Sequence, residues 1–512
     1  MGLAAYGRLV RAGYILAREG AFSVVDPALL PASARLAISA ARLIERRSVR
    51  RTGRAERLSR ALNKLGPTYV KFGQLLATRP DIVGAAIAED LSALQDAMDP
   101  FDPRRVPGIL KAALGERAEE ITELSEPIAA ASIAQVHRAV LVTASGRQTV
   151  AVKLLRPGVA ARFARDLESY FAGARLAERL VPKMRRLKPV EVVETLAHSA
   201  RIELDLRLEA ASISEFLENT SKDKGFRAPE VHWTYTAENV LVTSWIDGMP
   251  IRDRKALDAA GVDRKRLARD LMQHFLRHAI RDGFFHADMH PGNLFVDRGD
   301  GGIVAVDFGI MGRIGPEERR FLADVLYGFI SRDYRRIAER HFAIGYVPKD
   351  QSVDDFTLAL RSIGEPLHGR TASDISMAKV LGQLFAVTEL FHMQTRPELL
   401  LLQKTMVLVE GVSRTLDPDL DMWNTAEPVV GEWLRREAGP IGRIEDAGDQ
   451  LRRIGNALLR VPTLIERFET ALDAAEAERK KPVPSLMPRW MSVTSFWLFA
   501  LLALVLLYRL VA

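Results

Sequence analysis

Hydrophobic and polar positions along this chain change period several times, and each change predicts an element. Thr149-Val150-Ala151-Val152-Lys153-Leu154 alternates in the manner of a half-buried strand. Ile202, Leu206, Ala210, Ile213 and Leu217 recur at helical spacing, so residues 189–218 read as one helix. Three short apolar runs follow, Phe284-Phe285-His286, Leu294-Phe295-Val296 and Ile303-Val304-Ala305-Val306, and they read as strands. From 316 to about 477 the pattern is mostly helical, with 321–326 and 399–404 as core helices. Residues 440–481 are charged and amphipathic, and 491–508 read MSVTSFWLFALLALVLLY without a charge.

The three short strands bracket candidate chemistry. Asp288, Asn293 five residues on, and Asp307 of an Asp-Phe-Gly triplet form a D-x4-N…DFG arrangement suited to phosphoryl transfer. Asp288 is placed to orient an attacking hydroxyl or water. Asn293 and Asp307 offer the hard oxygens that Mg²⁺ prefers. Lys153 closes a V-A-V-K pattern whose ammonium reaches nucleotide phosphates. Its expected partner is a glutamate on the 189–218 helix, where Glu203, Asp205 and Glu209 lie. At about 100° per residue Asp205 and Glu209 share a face and Glu203 points away from Glu209. Glu209 is assigned to Lys153.

The loop ahead of the lysine strand departs from an ordinary kinase. In place of G-x-G-x-x-G stands Ala129-Ala130-Ala131-Ser132-Ile133-Ala134-Gln135-Val136-His137. Alanines deny the backbone the freedom that glycines give. Nucleotide is therefore expected to be held differently, with Ser132 as a side-chain donor.

Length and charge change the picture at both ends. With 512 residues and 48 % hydrophobic content, the chain can bury more than one core. It has no cysteine, which excludes disulfides, thiolate metal sites and cysteine nucleophiles. The formal net charge is +7, yet the first 60 residues alone carry twelve arginines against four acids. Arg42, Arg46, Arg50, Arg57, Arg60 and Lys64 recur near helical spacing, and Leu43, Leu58 and Leu62 supply another face. Such a helix suits anionic lipid headgroups, at roughly 1 kcal/mol per basic residue near the surface. No nucleic-acid-binding module accompanies the stripe, so nucleic acid is not an expected partner. At the other end, 491–508 approaches the roughly 20 residues that cross a bilayer. Trp490, Trp497 and Tyr508 suit the interfaces. Arg479, Lys480, Lys481 and Arg489 keep the preceding body on the cytoplasmic side of a single-pass anchor.

Lys71-Phe72-Gly73-Gln74, inside Leu65 to Asp81, matches a K-x-G-Q signature and its flanks, and the alanine-rich loop, V-A-V-K, Glu203-x-Asp205, H-x-D-x4-N and DFG follow in order. In this the chain resembles the UbiB/ADCK family of atypical kinases, which serve ubiquinone biosynthesis. Motifs carry the resemblance over roughly residues 60–330. Ala134 departs from it, since glycine is favoured there in the family. The resemblance implies an α+β, protein-kinase-like bilobal fold with a helical K-x-G-Q extension over the active site. Glu203 and Asp205 would hold that extension, with Lys71 and Gln74 facing them and Lys71 acting as a basic gate near the phosphates. It implies ATP and Mg²⁺ as cofactors, and anionic lipids, ubiquinone-biosynthesis enzymes or lipid intermediates as partners; a homo-oligomer is compatible with it.

The expected organisation is a basic helical region (1–60), the K-x-G-Q extension (61–120), an N-lobe (121–250), a C-lobe (251–440), a stalk (441–488) and a transmembrane anchor (489–512). A bacterial inner membrane is the expected location. Two other readings stand beside the membrane-bound kinase or ATPase. One is a small-molecule phosphotransferase of the aminoglycoside or choline kinase type, whose H-x-D-x-H-P-x-N loop is similar. The other is a nucleotide-binding scaffold without turnover. A metal-hydrolase reading of His274, His278, His286 and His290 lacks the H-E-x-x-H glutamate.

Overall fold

In the computed structural model, residues 3–24, 44–46, 49, 53–77, 83, 87, 90–91, 98–180, 188–367, 383, 387, 390–393 and 397–438 are described. The chain divides into units 1–433 and 434–512. Of the second unit only 434–438 are described, as helix. The stalk and anchor expected at 441–512 lie outside the described residues. Among the described residues, no helix is long and apolar enough to cross a membrane.

The alternating stretch lies within strand β4 (Gly146–Leu155). It pairs antiparallel with β3 (Ala134–Thr143) on one side and β6 (Val240–Ser244) on the other. Strands β1 (Ile121–Thr122) and β2 (Ala129–Ala130) both pair with β3, which completes a five-stranded sheet. Period-two alternation sends Val150, Val152 and Leu154 into a core where each is fully buried. Lys153 is thereby turned to the opposite face. Helix α4 (Val106–Leu114), which the sequence assigns to the extension, sends Val106 and Leu110 into this same core.

A second core gathers the N-terminal helices. Helices α1 (Leu3–Arg18), α2 (Arg54–Leu65), α3 (Pro67–Ala77), α5 (Val159–Leu180) and α6 (Pro189–Glu203) contribute Ala12, Leu62, Tyr69, Val70, Tyr170 and Leu196. Tyr170 stacks on Phe72 and meets Tyr69 edge-on, with centroids 4.9 and 5.0 Å away. Thr68 Oγ1 donates to Asp166 Oδ2 at 2.8 Å, and Arg162 Nη2 donates to the Leu65 carbonyl at 2.6 Å. The K-x-G-Q helix α3 is therefore fastened to α5 by its first turn.

The single helix expected over 189–218 is two. Helix α6 stops at Glu203, and α7 (Leu206–Thr220) starts after Asp205, whose extended backbone (φ −125°, ψ 96°) is that of an N-cap. Its carboxylate accepts from Arg207 N at 3.1 Å. Such a cap is worth about 1 kcal/mol to the helix it opens. A break this short leaves the apolar spacing on either side almost intact, so periodicity alone does not reveal it.

In the second lobe, β7 (Gly248–Pro250) and β5 (Phe226–Arg227) flank β9 (Leu294–Asp297) and β10 (Ile303–Ala305), and β8 (Phe284–His286) pairs with β11 (Met311–Arg313). The three apolar runs of the sequence are β8, β9 and β10. Helix α8 (Arg254–Ala259) precedes α9 (Arg264–Arg277), which ends in a π-helical turn at His278–Asp282. Gly283 then reverses the chain at φ 65°, where a Cβ would stand 2.5 Å from the Ile314 carbonyl oxygen. Helices α10 (Pro316–Ile330), α11 (Tyr334–Ala343), α12 (Val353–Gly364), α13 (Pro397–Leu416) and α14 (Met422–Ala438) complete the described chain.

Candidate active site

Lys153 is the centre of the cleft. Its Nζ donates to both carboxylate oxygens of Glu209, at 2.8 and 2.9 Å, and to Asp307 Oδ1 at 2.8 Å. Strand β4, helix α7 and the Asp-Phe-Gly turn thus meet at one ammonium. Burial alone would lower the lysine's pKa, but the charges of Asp307 and Glu209 outweigh it and hold the pKa well above the usual range. Burial pushes the Glu209 carboxyl up to about 7 against the pull of Lys153. For Asp307, burial opposes ionisation, yet Lys153 and then Lys71 hold its carboxyl far below the ordinary range.

The loop carrying Asp288 is built around His286. The His286 Nδ1 accepts from Asp288 N at 3.2 Å, so its Nε2 carries the proton and donates to the Val306 carbonyl, also at 3.2 Å. This fixes a neutral ring, in line with a pKa lowered by burial. Asn293 Nδ2 donates to Asp288 O and Asp288 Oδ2, 3.0 Å each. That leaves the Asn293 amide oxygen as the group to meet a cation. Val306 N donates to the Asn293 carbonyl at 2.8 Å, which ties the loop to the residue before Asp307. Asp307 itself has φ 62°, a left-handed backbone uncommon outside glycine. Phe308 is buried behind it, 4.9 Å from the His286 ring and 5.1 Å from Phe216 of α7. Phe216 in turn meets His278 edge-on at 4.9 Å. One aromatic column therefore couples the helix of Glu209 to the loop of Asp288.

Asp307 and Asn293 make a hard-oxygen donor set, and Lys71 and Lys153 are the cations beside it. The set fits Mg²⁺ shared with phosphate oxygens. The cleft is lined by Lys71, Ala131, Ile133, Ala134, Lys153, Glu203, Glu209, Asp288 and Asp307, among others, and encloses about 80 Å³. Small-molecule sites usually enclose roughly 300–1,000 Å³, so a nucleotide needs the walls to part.

Lys71 Nζ lies 2.6 Å from Glu203 Oε2, with the two side chains 14 % and 12 % exposed. The structure thus brings α3 to the mouth of the cleft through Glu203. Asp205 is placed otherwise: it caps α7 and pairs with Arg207 at 2.7 Å. Gln74 is half-buried on α3 and does not line the cleft.

The alanine-rich loop is a β2–β3 hairpin, of which Ala131, Ile133 and Ala134 reach the cleft. Ala129 and Ala130 form β2. Ser132, expected as a nucleotide donor, is fully buried and absent from the cleft wall. Gln135 is also fully buried; its Oε1 accepts from Phe101 N at 3.0 Å and its amide nitrogen lies 2.8 Å from His137 Nε2. Its role here is to fasten the hairpin to the segment before it.

Two positioning residues carry no signal that sequence reasoning used. Arg156 Nε and Nη2 donate to the Ala131 carbonyl at 3.0 and 2.8 Å, and its backbone N to Ile133 O at 2.8 Å. It clamps the alanine-rich turn; the Arg-Pro step directly after the lysine strand was the available clue. The second is Thr405 of α13, fully buried, whose hydroxyl stands 3.1 Å from the Ala287 carbonyl and 2.8 Å from Leu401 O. It reaches the residue next to Asp288 from a helix that shows no motif.

Asp223, His274 and His278 also meet, with one ligand atom from each within 4.8 Å of the others. Arg281 already engages both oxygens of Asp223, at 2.7 and 2.9 Å, so a cation here would face a guanidinium. His274 is pushed by burial to about 3, and the ring lies 5.3 Å from Phe226, as befits a packed neutral histidine.

A five-stranded sheet whose lysine pairs with a helix glutamate, above a loop of Asp, Asn and Asp-Phe-Gly, defines a protein-kinase-like domain of atypical kind. Residues 93–341 match the ABC1 atypical kinase-like domain and 360–421 the UbiB helical domain. The probable protein kinase UbiB of Marinobacter nauticus is 42 % identical over 403 residues, 78 % of this chain and 73 % of that one. That of Azotobacter vinelandii is 39 % identical over 432 residues, 83 % and 80 % of the two chains. The chain belongs to the UbiB family of atypical kinases. A solved complex of Rv3197 with erythromycin from Mycobacterium tuberculosis aligns with 73 % of this chain and 95 % of that one, at 24 % identity and a TM-score of 0.48.

Proposed function

We propose that this chain is a membrane-bound atypical kinase or ATPase that supports ubiquinone biosynthesis, acting on or mobilising lipid-soluble phenolic intermediates or the enzymes that make them. The observation that carries the reading is Lys153 held at once by Glu209 and Asp307 in a cleft that also contains Asp288. Lys153 binds the nucleotide phosphates, and Glu209 keeps its ammonium in place. Mg²⁺, held by Asp307 and Asn293, would neutralise charge on the phosphates. Asp288, fixed by Asn293 and by the backbone bond to His286, orients the hydroxyl of an acceptor or a water molecule.

The reading of Lys71 as a gate is supported by its pair with Glu203 on the wall of the same cleft as Asp288. A bulky peptide is disfavoured there, and a small or slender acceptor fits better. The segment 491–508 serves as a single-pass anchor with the body on the cytoplasmic side of a bacterial inner membrane. A chromosomal Asp288→Asn exchange tests the pathway assignment. Ubiquinone should fall and a prenylated phenol should accumulate in membranes; an unchanged quinone pool would refute the assignment.

A further inference from the structure

The described bases of the stripe that the sequence offers to lipid are held in ion pairs, although Arg46, Arg60 and Lys64 keep 39–43 % of their side chains exposed. Arg46 and Lys64 reach Glu19 Oε1 at 3.4 and 2.6 Å, and Arg57 reaches Glu45 at 2.9 Å. Glu19 and Glu45 are buried, their side chains 3 % and 7 % exposed. Arg60 pairs with Glu56 on its own helix at 2.7 Å. Residues 42, 43 and 50 lie outside the described residues, and α2 begins only at Arg54.

Helix α1 shows a different face. It buries Ala5, Ala12 and Ala17 and exposes Tyr6, Val10 and Tyr14, at 40, 73 and 50 %, four residues apart on one stripe. Arg11 and Arg18 are exposed beside that stripe, and α1 contains no acid. The Arg18 guanidinium lies over the Tyr14 ring at 5.9 Å and donates to its hydroxyl at 3.1 Å. An apolar stripe ending in tyrosines and flanked by arginines is the pattern of a helix lying in the headgroup region.

We propose that the Tyr6–Val10–Tyr14 face of α1 is an interfacial docking surface for an anionic bilayer, distinct from the terminal anchor. Charge complementarity selects this occupant. Arg11 and Arg18 are exposed beside the stripe and α1 carries no acid, so the border of this face is positive. The inference rests on the membrane-bound reading and adds to it a second contact, on the body that carries the cleft. Through α5, where Arg8 Nε donates to Ser169 Oγ at 2.8 Å, α1 belongs to the same packed core as the K-x-G-Q helix.

The absence of cysteine permits a direct test on the full-length chain. Val10→Cys carries an environment-sensitive fluorophore, and Leu358→Cys, at a position 64 % exposed on α12, is the control. Both are mixed with phosphatidylcholine vesicles with or without about one third phosphatidylglycerol. The expected result is a blue shift and quenching by brominated acyl chains at position 10 only, and only with phosphatidylglycerol. A probe at position 10 that stays water-like while the protein co-floats overturns the docking face and leaves the membrane reading intact. Equal shifts in neutral vesicles overturn the anionic preference. Disulfide-linked dimers of unlabelled Val10→Cys, formed without vesicles, assign the face to a second copy instead. Failure to co-float with either vesicle removes the membrane reading itself.

Discussion

Lys71 Nζ and Glu203 Oε2 stand 2.6 Å apart at the mouth of the cleft, and they join a helix fastened to α5 with the last residue of α6. Both residues line the cleft that holds Lys153, Asp288 and Asp307. Lys71 also contributes to holding the Asp307 carboxyl ionised, after the larger effect of Lys153. Glu203→Gln removes the charge that restrains Lys71 while keeping the side-chain shape. Basal ATP turnover is expected to rise about three- to tenfold, which corresponds to about 0.7–1.4 kcal/mol in barrier height. A steady-state rate at or below that of the parent chain would argue that the pair does not gate the site.

Glu209 sets the pH response. Its carboxyl, raised by burial to about 7, protonates as pH falls and then no longer holds Lys153 by charge. Activity is therefore expected to decline below about pH 7, and Glu209→Gln should be slow at every pH and lack that limb. Stability runs the other way. A raised carboxyl contributes stability that is fully present below the ordinary value of 4.5 and is lost as pH rises through about 7. Rate profiles and thermal melts from pH 5 to 8.5 on both chains check the two signs together.

Thr405→Val tests whether the helical region reaches into catalysis. The substitution keeps the volume and removes the proton shared between the Ala287 and Leu401 carbonyls. It should cost about 1 kcal/mol of stability. If the bond positions the Asp288 loop, kcat falls several-fold with KM for ATP nearly unchanged, and Thr405→Ser restores it. Equal behaviour of the valine and serine variants in kcat would confine Thr405 to packing.

Sequence spacing carried the parts of this site that depend on local geometry. Asp288 and Asn293 sit on the loop between β8 and β9, and Asp307 follows β10 after one antiparallel return, so their order and separation imply their proximity. Lys153 and Glu209 come from distant segments, yet strand alternation and the kinase-like order of motifs were enough to pair them. What stayed illegible depends on packing. Gln135 and Ser132 look like polar loop residues until the hairpin turns them inward. The cap at Asp205 interrupts a helix without disturbing its apolar spacing. The ion pairs of Arg46, Arg57 and Lys64 with Glu19 and Glu45 join residues far apart in spacing, so the basic stripe gives no sign of them in the sequence. Thr405 acts across 118 residues of chain, a separation at which neither periodicity nor motif gives warning.

The most direct test of the central claim is Mg²⁺-dependent ATP hydrolysis by the purified full-length chain, with and without anionic-lipid vesicles, beside Asp288→Asn and Asp307→Asn. A lipid-stimulated rate that falls by at least about 100-fold in both variants is the predicted result. Turnover retained in Asp307→Asn would contradict the assignment of Asp307 to the metal and, with it, the proposed ATPase site.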